Sequence, residues 1–174
     1  VLSFSNIPIH EGTYVTNRYT VDTDNVDQKF YVNDANGDTT TLLVDVFNTA
    51  SSTSSTTFTQ ALDNTQVKSD SNVYFLQESV DGKFEVYFGD GVTGKALSDG
   101  NIVRLRYVVT NKTAANGASS FTTSATITGI TDITTATVSA ASGGAEKESI
   151  QSIKFNAPLD YAAQGRAVTV NDFK

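Results

Sequence analysis

Alternation of apolar and polar residues predicts a chain built mainly from β-strands. From Thr13 to Val21 the apolar residues fall largely on one face, the period-two pattern of a half-buried strand. The clearest alternation covers residues 101–110, where Arg104 and Arg106 point away from a set of apolar side chains. We expect a carboxylate on a neighbouring strand to pair with these arginines, and we take Glu85 as the candidate.

Four further patterns predict strands and the turns between them. Residues 28–32 and 42–47 are predicted strands, and Asn36-Gly37 between them favours a tight hairpin turn. Residues 73–78 and 84–88 predict a second hairpin around Asp81-Gly82, in which Phe84, Val86 and Phe88 share a face. The Ser/Thr-rich stretch 49–57 offers little to bury, so we interpret it as an exposed, mobile loop.

The pattern changes towards the C-terminus. Residues 125–139 predict two short strands interrupted by Gly129. After Gly143-Gly144, residues 146–157 predict a helix with acidic residues in its first turn, ended by Pro158. Thr169 is typical of a helix N-cap, which leads us to expect that the sequence is a piece of a longer polypeptide.

These elements predict a mainly β fold with a minor α part. We expect antiparallel sheets or a sandwich, with one or two short helices near the C-terminus. The predicted organisation is an N-terminal β subdomain at residues 1–72, containing the Ser/Thr-rich loop, and a β-rich segment at residues 73–174 with the C-terminal helix.

Charge and composition narrow the function. The formal net charge of −7 repels polyanions, so nucleic acid is not expected as a partner. The sequence contains no Cys, which removes disulfides and thiolate chemistry. No stretch approaches the length of a membrane span, so we expect no membrane contact.

Candidate chemical motifs are incomplete. Gly89 to Ala96 approaches a phosphate-binding loop, but Ala96 replaces the hydroxyl and Ser98-Asp99-Gly100 would end any following helix. Asp34, Asn36, Asp38 and Asp45 only approach the spacing of a calcium loop. The lone His10 has no nucleophile motif beside it. We therefore predict no catalytic residue, metal, cofactor or small-molecule substrate.

Two ordered blocks of residues resemble a known family. Phe84–Lys95, with its Phe-Gly-Asp-Gly run, precedes the strand Ile102–Val109. The second block comprises Gly143–Ile150, Ala157-Pro158 and Arg166–Thr169. Together they resemble the baseplate J-like family, in the style of the baseplate wedge proteins of T-even-like, contractile-tailed phages.

This resemblance implies a non-enzymatic component of the virion, located in the tail baseplate and assembled in the bacterial host cytoplasm. Its partners would be a second copy of itself, as a homodimer, and other baseplate wedge subunits. It would join subunits into the baseplate ring and take part in the rearrangement that accompanies sheath contraction. The structural and interface candidates on this interpretation are Phe88, Gly89, Asp90, Gly91, Gly94, Arg104, Arg106, Gly143, Gly144, Pro158, Arg166 and Thr169.

Other functional classes remain open from the residues alone. A carbohydrate-binding or adhesin β-sandwich module is the main alternative, because acidic, Ser/Thr-rich β domains are common among such proteins. A carbohydrate-binding module of this kind requires exposed aromatic side chains that form a flat binding surface. The sequence lacks Trp, and its pattern does not indicate such a surface. A glycosidase or nucleotide hydrolase would require a convergent acidic cleft or a complete phosphate loop.

Overall fold

The computed structural model describes residues 3–123, 128–130 and 133–163. The chain divides into two compact units, Val1–Asn111 and Lys112–Lys174. None of the helices among the described residues has the length and apolar character needed to cross a bilayer.

Seven strands form one sheet in the first unit. The neighbours in the sheet are antiparallel except β4 and β5, which are parallel. A short 3₁₀ helix, Asn64–Gln66, lies between β4 and β5. The strands are β1 (Thr13–Thr20), β2 (Phe30–Val32), β3 (Gly37–Phe47), β4 (Ser55–Gln60), β5 (Val73–Glu78), β6 (Phe84–Phe88) and β7 (Ile102–Val109), in the order β1-β7-β3-β4-β5-β6-β2.

The two ends of this strand order approach each other. The Tyr19 hydroxyl of β1 donates to the Tyr31 carbonyl of β2 (2.6 Å), and Asn33 Nδ2 donates to the Tyr19 hydroxyl (3.1 Å). The sheet therefore curves around a single core, because apolar side chains on its concave face are removed from water. That core is formed by Val21, Phe30, Val32, Leu42, Val44, Val46, Phe58, Tyr74, Val86, Val103, Leu105 and Tyr107.

A partly buried polar network lies beside the line where β1 approaches β2. The fully buried Tyr107 donates its hydroxyl hydrogen to Asp34 Oδ2 (2.6 Å) and accepts a hydrogen bond from Asn17 Nδ2 (3.0 Å). Burial, with the neighbouring Asp34, raises the pKa of Tyr107 to about 12. The phenol therefore stays protonated and can donate this bond throughout the physiological pH range.

The mainly β class with a minor helical part is confirmed, and so is the hairpin of β5 and β6. The predicted hairpin at Asn36-Gly37 is wrong, because β2 pairs with β6 whereas β3 pairs with β4 and β7. The turn itself is present, since the Gly37 amide donates to the Asp34 carbonyl (3.0 Å). However, the two strands that it connects, β2 and β3, do not pair with each other. The predicted division between residues 72 and 73 falls between two neighbouring strands of this sheet.

The Ser/Thr-rich stretch is only partly the loop that its composition predicted. Residues 55–60 form β4. Phe58 of this strand lies in the core, and the Ser and Thr side chains of the strand are exposed. A hydroxyl-rich strand is compatible with β structure, because β-branched Thr fits a pleated surface. Thr49 and Ser52 form the turn before it, with the Thr49 amide donating to Ser52 Oγ (3.1 Å).

Among the described residues of the second unit, Lys112–Ala115 form a short 3₁₀ helix and Ile150–Ala163 form one α-helix, α1. It starts four residues later than the predicted start at Glu146, because Ser149 is the N-cap: Ser149 Oγ accepts from the Ser152 amide (3.2 Å). The prediction that Pro158 ends the helix is wrong, since α1 continues for five residues beyond it. The helix therefore lacks the one backbone hydrogen bond that the proline nitrogen cannot donate.

The predicted strands at 125–139 lie partly outside the described residues. Within the described part, Ile130 forms an isolated β-bridge and residues 133–139 contain no strand. The high Thr content of this stretch favoured strands, but the described residues do not form a ladder with a neighbour there.

Candidate functional site

A row of polar side chains crosses four strands on the face opposite the core. Arg18 of β1 is the register partner of Arg104 in β7, which is the partner of Asp45 in β3, which is the partner of Thr57 in β4. Side chains alternate between the two faces of a strand, so Val44 and Val46 enter the core while Asp45 points away from it.

Asp45 is the centre of this arrangement. Its side chain is nearly inaccessible, and its Oδ2 accepts from Arg104 Nη2 (2.9 Å) and Arg106 Nη2 (3.0 Å). Thr57 Oγ1 donates to the other carboxylate oxygen (2.9 Å). Burial alone would raise the pKa of Asp45, but the hydrogen bonds and the charges of the two arginines hold that pKa below its ordinary value.

Phe47 extends the cluster along the same face. The guanidinium of Arg104 lies 4.7 Å from the centre of the Phe47 ring, and that of Arg18 lies 5.2 Å from it. Cation–π attraction stabilises each guanidinium on the ring. We define the arginine face as Arg18, Asp45, Phe47, Arg104 and Arg106.

Glu85, predicted to pair with the arginines, lies elsewhere, so that prediction is wrong. Its carboxylate, buried on β6, pairs with Lys29 Nζ (2.5 Å) and accepts from Gln77 Nε2 (2.9 Å). The reason is topology: β7 pairs with β1 and β3, whereas β6 pairs with β5 and β2. The Lys29 ammonium, followed by Gln77, lowers the pKa of Glu85 to about 2.

This depressed pKa predicts an acid-sensitive contribution to stability. It is complete above the ordinary pKa of Glu85, 4.5, and is lost as the pH falls towards about 2, because protonation removes the charge that Lys29 binds. Urea unfolding at a series of pH values should therefore show the stability difference between the unchanged protein and Glu85→Gln shrinking across this window. In Lys29→Gln that pH dependence should be reduced, and an undiminished dependence would contradict the assignment.

The glycine-rich segment after β6 is a tight loop tied to a neighbouring segment. Phe88 ends β6 and packs edge-on against Phe30 and Phe58, with ring centres 5.6 and 5.3 Å away. In the loop, Asp90 Oδ1 accepts from the amides of Val92 and Thr93, both at 2.9 Å. These bonds lower the pKa of Asp90 and fix the turn.

Two glycines, Gly91 and Gly94, determine the backbone conformation of this loop. Gly91 and Gly94 adopt positive φ values of 87° and 85°, and the Gly91 amide donates to the Gly94 carbonyl (3.0 Å). The Gly94 and Lys95 amides donate to the carbonyls of Lys68 and Ser71 (3.1 and 2.9 Å). The helix that a phosphate-binding loop requires does not follow Lys95, because residues 95–101 of the described structure form turns and irregular backbone before β7.

Of the candidates in the second unit, Gly144 is held by two hydrogen bonds between its backbone and the side chain of Asn116. Asn116 Oδ1 accepts from the Gly144 amide (3.0 Å), and Asn116 Nδ2 donates to the Gly144 carbonyl (2.8 Å). A Cβ on Gly144 would lie 2.1 Å from the Lys112 carbonyl oxygen, so only glycine fits there. Gly143 has φ 93°, Pro158 lies within α1, and Arg166 and Thr169 lie outside the described residues.

The acidic residues that approached calcium-loop spacing have other partners. Asp34 accepts from Tyr107, Asp38 Oδ1 accepts from the amide and hydroxyl of Thr40, and Asp45 binds the two arginines. Within residues 3–123, 128–130 and 133–163 no group of three or more His, Asp or Glu side chains is placed to hold a metal ion.

The structure brings some predicted candidates together and adds others. Phe88, Gly89, Asp90, Gly91 and Gly94 share one loop, and Arg104 and Arg106 share one face. Sequence reasoning missed three members of the arginine face. They are Arg18, Asp45 and Phe47. Their alternation with Val44, Val46 and Tyr19 is a signal that could have placed them on an outward face, but strand order was needed to bring them together.

The chain belongs to a phage baseplate family: the family model of the third domain of bacteriophage baseplate wedge protein gp6 matches residues 14–122. That match spans all seven strands of the sheet except the first residue of β1. The chain is thus part of a baseplate wedge protein, a component of the virion tail baseplate.

Among individual proteins, baseplate wedge protein gp6 of Enterobacteria phage T4 is similar to this chain. The two are 29% identical over 127 residues, covering 60% of this chain. The chain spans 19% of the length of that relative.

Proposed function

We propose that this chain is a non-enzymatic scaffold segment of a baseplate wedge protein. It holds neighbouring wedge subunits together in the baseplate ring and takes part in their rearrangement when the sheath contracts. The observation that carries this proposal is the match of the gp6 third-domain family to the seven-stranded sheet, from the second residue of β1 to the end of β7.

The chemistry of the described residues is consistent with such a role. The charged side chains buried in the sheet unit, Asp45 and Glu85, are each occupied by ion pairs within it. The pairs of Asp45 join β3 to β7, and the Lys29–Glu85 pair joins β6 to the segment just before β2. The loop at Gly89–Lys95, whose sequence resembles the baseplate J-like family, exposes Asp90, Val92 and Thr93 on a hydrogen-bonded turn, a form suited to subunit contact.

Cross-linking of intact virions tests the proposal. An amine-reactive cross-linker followed by mass spectrometry should link lysines of this chain, such as Lys83 and Lys95, to neighbouring baseplate subunits. Some linked pairs should differ between particles with extended and contracted sheaths. A chain that forms no links to other subunits in either state would contradict the assembly role, and identical links in both would contradict the role in rearrangement.

We also propose that the chain contributes to a homodimer. A homodimer buries a self-complementary patch, and large apolar side chains exposed on the first unit, such as Tyr14, Leu43 and Val92, are available for such a contact. Sedimentation velocity over a range of concentrations should show a shift from monomer to dimer. A monomer at the highest concentration would contradict dimer formation through this segment.

One observation favours the second candidate, carbohydrate binding. Phe75 and Tyr87 stack on the outward face of β5 and β6, with ring centres 5.2 Å apart and planes inclined by 22°. Both rings are half-buried, so each offers part of one face to solvent. A glycan array decides: binding that is lost in Tyr87→Ala would support this candidate, and no binding to any glycan would exclude it.

A further inference from the structure

We infer that Arg18 and the hollow beside it form a receptor for an acidic side chain from a neighbouring protein subunit. This inference rests on the proposed scaffold function and specifies the chemistry of one contact. It is argued from the ion pairing of the arginine face, the shape of the hollow and the charge of the chain.

The arginine face carries more positive charge than its own carboxylate can neutralise. Asp45 is shared by Arg104 and Arg106, and both contacts use the same oxygen, Oδ2. Arg18 is exposed and forms no ion pair with any residue that the structure describes. Three guanidinium groups and one carboxylate leave this face with a formal charge of +2.

The excess positive charge of the arginine face is unfavourable for the isolated domain. Arg18 is directly opposite Arg104 in the β1–β7 register, and like charges in that arrangement destabilise a sheet. The Phe47 ring, which both guanidinium groups approach, offsets part of that repulsion. The local excess is also opposite in sign to the chain as a whole, whose formal net charge is −7. An external anion on Arg18 would neutralise the repulsion.

A hollow next to Arg18 has the size of one side chain. It has a volume of about 140 Å³, opens to solvent and is lined by Arg18, Tyr19, Thr20, Ala50 and Ile102. The outer end of one acidic side chain can enter a space of that size from solvent. The aliphatic Ile102 and Ala50 suit the methylene groups, while the guanidinium suits the carboxylate.

The occupant is a protein carboxylate, because the hollow admits one side chain and the domain's net charge repels an extended polyanion. A nucleic acid strand would bring phosphates along the whole acidic surface. One aspartate or glutamate on a neighbouring subunit brings a single negative charge to the arginine face, where the local charge is positive.

Fluorescence anisotropy at low salt, with a labelled six-residue peptide that carries a single glutamate among glycine and serine residues, tests the inference on this chain. We expect saturable binding that Arg18→Gln weakens about tenfold, the loss expected for one charge-assisted hydrogen bond. Lys83→Gln is the matched control, because it removes the same charge from the exposed tip of the β5–β6 hairpin; it should change affinity less than twofold. Arg18→Lys, which keeps the charge but not the planar fork, should fall between. Near-UV circular dichroism checks that each variant is folded.

Each remaining outcome overturns the inference. Absence of binding to the unchanged chain, or an equal loss in Lys83→Gln, would show that there is no receptor at Arg18. Arg18-dependent binding of a six-nucleotide DNA in place of the single-glutamate peptide would assign the hollow to phosphate. Failure here while the virion cross-links persist would remove this contact and leave the scaffold function standing, and the reverse result would remove the scaffold function.

Discussion

Replacing Gly89 with alanine is expected to lower the free energy of unfolding by about 3 kcal/mol, the upper range for overpacking a closed site. A Cβ at this position would lie 2.3 Å from the Thr93 carbonyl oxygen and from the Gly94 carbonyl carbon. Both atoms belong to the backbone, so no side chain can rotate away and the loop itself must open. Urea unfolding measures the loss.

Gly100→Ala provides the control for this substitution. Gly100 has φ 74° with open space where the Cβ would go, so alanine there introduces backbone strain of about 1 kcal/mol and no clash. Hydrogen exchange gives a second readout, since opening of the loop in Gly89→Ala should expose the Gly94 and Lys95 amides. Equal destabilisation of the two variants, with those amides still protected, would show that the close approach does not constrain the loop.

Asp45→Ala is expected to destabilise the protein by about 2–3 kcal/mol. Removing one partner of a buried ion pair leaves the other charge uncompensated, here two guanidinium groups facing a third. The cost is below that of a fully buried pair because Arg104 and Arg106 retain 26% and 39% of their side-chain exposure and keep contact with water. Chemical denaturation at neutral pH measures it.

Asp70→Ala makes the same chemical change on an exposed loop and should stay within about 0.5 kcal/mol of the unchanged protein. A double-mutant cycle of Asp45→Ala with Arg104→Ala isolates the pair itself. We expect a clear coupling energy, because Arg104 Nη2 lies 2.9 Å from the carboxylate. Additive effects would mean that Asp45 stabilises the sheet in another way.

The strands could be predicted from the sequence because alternation is a local signal. In β7 the buried residues Val103, Leu105 and Tyr107 alternate with Arg104 and Arg106, and the pattern alone placed the two arginines on the opposite face. The β5–β6 hairpin was also predictable, since its turn residues lie between the two strands. Strand β4 was missed because its one buried residue, Phe58, lies among hydroxyl side chains.

The pairing of strands was not predictable in the same way, because the sheet joins segments far apart in the chain. Glu85 and Asp45 are both acidic residues on predicted strands, and nothing local distinguishes which of them reaches Arg104. The choice depends on β7 lying between β1 and β3, a long-range arrangement that local patterns do not encode. The arginine face could therefore be predicted only in part: two of its three cations, Arg104 and Arg106, were assigned from alternation, and its anion, Asp45, was not.

The sheet should deform most easily along the line where β1 approaches β2, because few hydrogen bonds join the chain there. Elsewhere in the unit, neighbouring strands are joined by ladders, whereas here Tyr19 contributes two side-chain bonds, to Tyr31 and Asn33. Under tension, a closed sheet yields first where the fewest bonds share the load, so strain applied to the domain should concentrate along this junction. A change in curvature there would alter the outer surface while the ladders of the remaining strands keep their register.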